Sequence, residues 1–113
     1  MNDASSQLEA IRASAIAEAE QCKNSMLVVT RLLDAYRGFA PAEREEADRV
    51  LAEWTLADEE SRRYDALAVI RELRVTAAVP ALRERDRRLD SESDPGAPFE
   101  QKKVRAVLDE LEA

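Results

Sequence analysis

The chain has 113 residues, 45% of them hydrophobic and only 4% aromatic, and it carries a net charge of −7 with one cysteine and no histidine. This length predicts a single domain over residues 1–113, and the acidic balance argues against nucleic acid or an anionic membrane as a partner, because both require cationic patches. A single cysteine excludes an internal disulfide, and the absence of histidine excludes the usual histidine-assisted nucleophiles. Together they argue against a zinc site.

The first half of the chain has the three-to-four-residue apolar spacing of amphipathic helices. The apolar series runs from Leu8 to Tyr36 without glycine or proline, and Ser6 is positioned to cap its start. Residues 7–37 form either one long helix or two helices with a break near Asn24-Ser25, and two are favoured because compact domains seldom use so long a helix. A further helix is predicted from Pro41, with Trp54 on its buried face.

The second half predicts a helical hairpin and a final helix. Asp58 is expected to cap the first helix of the hairpin and Thr76 the second, so that the hairpin covers about residues 59–89. A polar segment follows, and the last helix covers about residues 99–112. Few glycines and many strong helix formers therefore predict an all-α fold of five or six antiparallel helices.

Two segments of the hairpin carry a family likeness. The sequences Arg62-Arg63-Tyr64-Asp65-Ala66-Leu67 and Ala78-Val79-Pro80-Ala81-Leu82 resemble the HEAT-like (armadillo-type) α-helical repeat, and residues 68–73 recur in similar form at 106–111. The resemblance implies a short stack of antiparallel helix pairs used mostly for protein–protein contact. Arg74-Val75 replaces the Gly-Asp turn usual in that family, and a generic helical bundle remains the alternative.

The charged and thiol residues give little indication of catalysis. Cys22 lies on an apolar stripe and is expected to be a buried structural thiol. The segment 90–94 is similar to the start of a calcium loop, but its twelfth position holds Gln101, so an acidic loop is the simpler interpretation. The mixed-charge run 83–88 predicts a solvated helix face rather than a phosphate-binding track. No enzyme activity, metal or cofactor is expected.

These observations favour a cytoplasmic protein-interaction module, since no membrane span or signal peptide is evident. Its most concrete form is an immunity-type protein that holds a basic toxin through its carboxylates. The alternative is a self-associating structural or adaptor protein that forms a homodimer. The candidate partner-binding residues are Glu43, Glu45, Glu46, Asp90, Glu92 and Asp94.

Overall fold

The computed structural model describes residues 3–22 and 26–113, and all regular structure in these ranges is helical. The all-α prediction is therefore confirmed, with six α-helices and one short 3₁₀ turn, Thr76–Ala78, in the described ranges. None of these helices is long and apolar enough to cross a membrane. The helices are α1 (Ala4–Cys22), α2 (Leu27–Arg37), α3 (Pro41–Trp54), α4 (Glu60–Leu73), α5 (Val79–Leu89) and α6 (Ala97–Glu112).

The chain divides into two compact units, Met1–Val50 and Leu51–Ala113. The division falls inside α3, so the first unit holds α1, α2 and most of α3, and the second holds α4 to α6. The single domain over residues 1–113, which the length indicates, stays a prediction.

In the first unit, α1 and α2 are separate helices that pack against each other. An ion pair links them, with 3.0 Å between Arg31 Nη2 and Glu18 Oε1. The predicted break at Asn24-Ser25 lies outside the described residues. The predicted start at Ser6 is wrong: α1 begins at Ala4, because the Asp3 carboxylate accepts a hydrogen bond from the Ser6 backbone N–H at 2.7 Å.

Helix α3 is tied to α2 by a tyrosine. Tyr36 Oη donates to Asp48 Oδ1 at 2.7 Å. Burial, aided by this hydrogen bond to an anion, raises the pKa of Tyr36 to about 12. The core of the unit is aliphatic and is formed by the nearly inaccessible side chains of Ala4, Leu8, Ala15, Leu32 and Ala47.

The start of α4, in the second unit, differs from the prediction. Helix α4 starts at Glu60 without a side-chain cap, so the expected cap at Asp58 is wrong. Instead, Arg63 Nη1 donates to the backbone oxygens of Ala57 and Asp58, at 2.9 Å each, and fixes the segment that enters the helix. Trp54 is 5% exposed, as its position on an apolar face predicted.

The turn between α4 and α5 is built around Arg74, which adopts the left-handed conformation (φ 54°, ψ 54°). Arg74 N–H donates to Arg71 O and Val75 N–H to Ile70 O, which is the Schellman pattern that usually places glycine in this position. Ile70 and Val75, which occupy the two positions whose apolar contact usually accompanies the motif, are both buried. The absent glycine therefore does not prevent the tight turn.

The remaining helix starts also differ by a few residues. Thr76 lies in the 3₁₀ turn rather than capping α5, which begins at Val79 with proline in its first turn. Helix α6 begins at Ala97 instead of residue 99, again with proline in its first turn. The fully buried side chains of this unit include Leu51, Ala66, Ile70, Ala78, Leu82 and Val104.

Candidate interaction surface

A buried ion network occupies the interior of the second unit. Glu100, Arg63 and Arg85 are 3%, 8% and 5% exposed. Glu100 accepts a bidentate pair of hydrogen bonds from Arg63, Nε to Oε2 at 3.0 Å and Nη2 to Oε1 at 2.9 Å. Arg85 Nε donates to the same Oε2 at 2.7 Å, and its Nη1 donates to Glu92 Oε1 at 2.9 Å. The Glu100 carboxylate thereby joins three helices, and Arg85 adds the α5–α6 connection through Glu92.

The charge state of Glu100 is set by these neighbours. Burial raises the pKa of its carboxyl, but the hydrogen bonds and charges of Arg85 and Arg63 outweigh burial and hold the pKa of Glu100 below its ordinary value. Glu100 is therefore a carboxylate at neutral pH. Among the described side chains, no buried polar atom lacks a hydrogen-bond partner, so the network is complete and has a structural role.

Acid is expected to destabilise this unit through Glu100. The pKa of Glu100 in the folded protein lies below the ordinary value of 4.5, so the carboxylate stabilises the fold at pH values above 4.5. This contribution is lost as the pH falls through the pKa of the folded state. Urea unfolding followed by the fluorescence of Trp54, at a series of acidic pH values, measures the effect. The variant Glu100→Gln lacks this titration, so its free energy of unfolding should fall less steeply with pH over the same range. An equally steep fall in both proteins would contradict the attribution of the acid sensitivity to Glu100.

The ion pairs also fix the helix directions in this unit. Arg63 and Arg71, near the two ends of α4, bind Glu100 and Glu110, near the corresponding ends of α6, so α4 and α6 run parallel. The Arg71–Glu110 contact is bidentate, at 2.9 and 3.0 Å. Helix α5 runs antiparallel to α6, since Arg83 binds Glu112 at the far end of α6, whereas Asp90, directly after α5, accepts from Gln101 near the start of α6. This alternation agrees with the predicted antiparallel succession.

A surface cavity of about 430 Å³, the α4–α6 groove, lies between the two parallel helices. Besides Tyr64 of α4, its lining includes the apolar side chains of Leu67 and Ala68 from α4 and of Ala106 and Val107 from α6. Leu67 and Val107 are each only 5% exposed and form the floor, whereas the small alanine side chains leave the space above it open. The groove is therefore a consequence of small residues placed between two clamped helices.

An exposed aromatic residue and three cations also line the groove. Phe99 is 62% exposed, an unusual state for so large an apolar side chain. Lys103 Nζ lies 5.0 Å from the Phe99 ring centroid. Lys102 and Arg71 complete the cationic lining. Arg71 is neutralised by Glu110, but no salt bridge within the described ranges involves either lysine, so this part of an acidic chain is locally positive.

A second cavity, of about 400 Å³, lies in the first unit and is lined by residues of α1 and by Arg31. Its charged members, Glu18 and Arg31, bind each other at 3.0 Å, and it contains no aromatic side chain. It therefore lacks both the exposed apolar anchor and the unpaired positive charge of the α4–α6 groove.

The acidic residues expected to bind a partner are mostly engaged within the chain. Glu43 Oε1 accepts from the Ala40 N–H at 2.9 Å, and Glu46 Oε2 accepts from the Ala4 N–H at 3.2 Å, whereas Glu45 is exposed. These three residues belong to the first unit.

The other three acidic candidates belong to the second unit. Asp90 accepts from Gln101 Nε2 at 2.7 Å, Glu92 pairs with Arg85, and Asp94 Oδ1 accepts from the Gly96 N–H at 2.7 Å. These interactions organise the α5–α6 connection and the start of α6. Across the described ranges, no group of three or more potential ligand side chains is arranged to hold a metal ion.

Phe99 was missed as a contact residue, although its position could have indicated it. The buried face of α6 carries Glu100, Val104, Val107, Leu108 and Leu111. Phe99 lies five residues before Val104, a spacing that places it off this stripe and toward solvent.

No protein-family model, curated protein or solved structure matches this chain.

Proposed function

We propose that this protein is a non-enzymatic protein-interaction module and that its partner binds in the α4–α6 groove. The observation that carries the proposal is the exposed Phe99 beside a concave apolar floor. A large apolar side chain that remains accessible at the edge of a groove gains favourable free energy when a partner covers it, and aromatic residues dominate binding energy at such sites.

The immunity-type form of the hypothesis relies on carboxylates that bind a basic toxin. Glu92 would have to exchange its pairing with the buried Arg85 for a partner, and Asp90 its contacts with Gln101 and Arg105. The groove requires no such exchange, because Phe99 and the two lysines that line it are already exposed. The groove is therefore the better-supported binding surface.

Quantitative affinity capture from the native lysate tests this function. The wild-type chain is compared with Phe99→Ala and with Met26→Ala, which removes an equally exposed apolar side chain (62%) from the first unit. A stoichiometric partner that is lost with Phe99→Ala and retained with Met26→Ala supports the proposal. Equal recovery of every partner by all three proteins would exclude the groove as the binding surface.

A further inference from the structure

We infer that the occupant of the α4–α6 groove is an acidic amphipathic α-helix of another protein. This inference rests on the proposed function and specifies the chemistry of the partner. Three features of the groove carry it: the apolar floor, the shape left between two parallel helices, and the sign of the charge along its edge.

The floor and Phe99 determine the apolar part of the ligand. Leu67 and Val107 form a largely buried hydrophobic base, and Phe99 stands exposed beside them, so the bound segment must supply apolar side chains to replace the water around Phe99. The groove runs between α4 and α6, of 14 and 16 residues, which suits a third helix lying along them. Anchors repeated every three or four residues would then face the floor.

The edge of the groove determines the charge of the ligand. Lys102 and Lys103 lie on one side of it, and no salt bridge with either lies within the described ranges. Arg71, on α4, is already paired with Glu110. Carboxylates on the polar face of a bound helix would find cations at this edge, whereas basic residues would be repelled.

A second copy of this chain fits less well. A two-fold symmetric contact through the groove would oppose Lys102 and Lys103 to the same lysines of the other copy. A nucleic acid or an anionic membrane would satisfy the two lysines but would also approach a chain whose net charge is −7. A short acidic helix avoids both difficulties, because its charge meets only the local positive edge.

A displayed library of random helical peptides, matched in length to the 16 residues of α6, tests the inference. Peptides are selected on the wild-type chain and synthesised. Their affinities are then measured for Phe99→Ala, for the charge reversal Lys102→Glu/Lys103→Glu, and for Arg31→Glu/Arg37→Glu. The last variant makes the same change in net charge on α2 and serves as the control.

The expected peptides are rich in glutamate and aspartate and carry apolar residues at spacings of three and four. Their affinity should fall about tenfold or more with Phe99→Ala and with the groove charge reversal, but little with the α2 control. It should also weaken as salt is added.

The two proposals fail in different ways. Selected peptides that depend on Phe99 but are basic or uncharged would overturn the acidic-helix inference and leave the proposed function standing. Peptides that bind independently of Phe99, or the absence of any selected peptide, would contradict both. The inference would also be overturned if the wild-type chain bound a short DNA duplex or phosphatidylserine vesicles more tightly than every selected peptide, and lost that binding in Lys102→Glu/Lys103→Glu.

Discussion

Replacing Glu100 with glutamine is expected to lower the free energy of unfolding of the second unit by about 3–5 kcal/mol. The substitution keeps the shape of the side chain but removes the negative charge shared by Arg63 and Arg85, which are 8% and 5% exposed. The guanidinium groups cannot escape to solvent without disrupting the unit, so their charge would remain buried with insufficient compensation. Urea unfolding monitored by the single tryptophan, Trp54, reports on this unit.

Glu110→Gln is the matched control for that experiment. Glu110 makes the same bidentate contact with Arg71, but the two side chains are 43% and 64% exposed and solvent screens their charges, so its loss should cost far less than the loss of Glu100. The triple variant Arg63→Met/Arg85→Met/Glu100→Leu should recover much of the stability lost in Glu100→Gln, because it removes all three buried charges together. Similar losses for Glu100→Gln and Glu110→Gln would show that burial does not strengthen the network.

Leu82→Ala is expected to destabilise the same unit by about 2–5 kcal/mol. Leu82 lies on α5 and has no accessible surface, so truncation removes apolar burial and leaves a cavity that the clamped helices cannot readily close. Leu73→Ala makes the same chemical change at a partly exposed position at the end of α4 and should cost less than half as much. Trp54 fluorescence in urea measures both variants, and equal losses would indicate that the interior around α5 collapses around the deletion.

The helices could be predicted because their apolar stripes and boundary residues are local signals. Leu67, Ile70 and Leu73 recur at helical spacing, and two helices, α4 and α5, lie within the expected residues 59–89. Boundaries were less predictable, because competing caps differ by small free energies. Asp3 accepts a hydrogen bond from the Ser6 N–H and starts α1 early, and Arg63 holds the segment before α4 through backbone oxygens, so no Asp58 side-chain cap forms.

The buried charges could not be predicted with the same ease, because charged residues are almost always solvated. The mixed-charge residues 83–88 predict a solvated helix face. This prediction holds for Arg83, Arg87 and Arg88, which are exposed, but it is wrong for Arg85, which is buried. Spacing offered a signal: Arg85 lies three residues after Leu82 and four before Leu89, on the apolar stripe of α5. Glu100 and Arg63 likewise lie four residues before the buried Val104 and Leu67, but only the fold shows that the three side chains meet.

The ion network has a consequence for the axial alignment of the helices. Sliding α6 along α4 by one helical turn, about 5.4 Å, would carry Glu100 out of hydrogen-bonding range of Arg63 and leave ionised groups buried and unmatched. Apolar side chains alone would tolerate such a shift far better, because one aliphatic contact can replace another. The network therefore selects a single register for α6, and that register determines which part of α6, with Phe99 on it, lies along the groove that Tyr64 of α4 also lines.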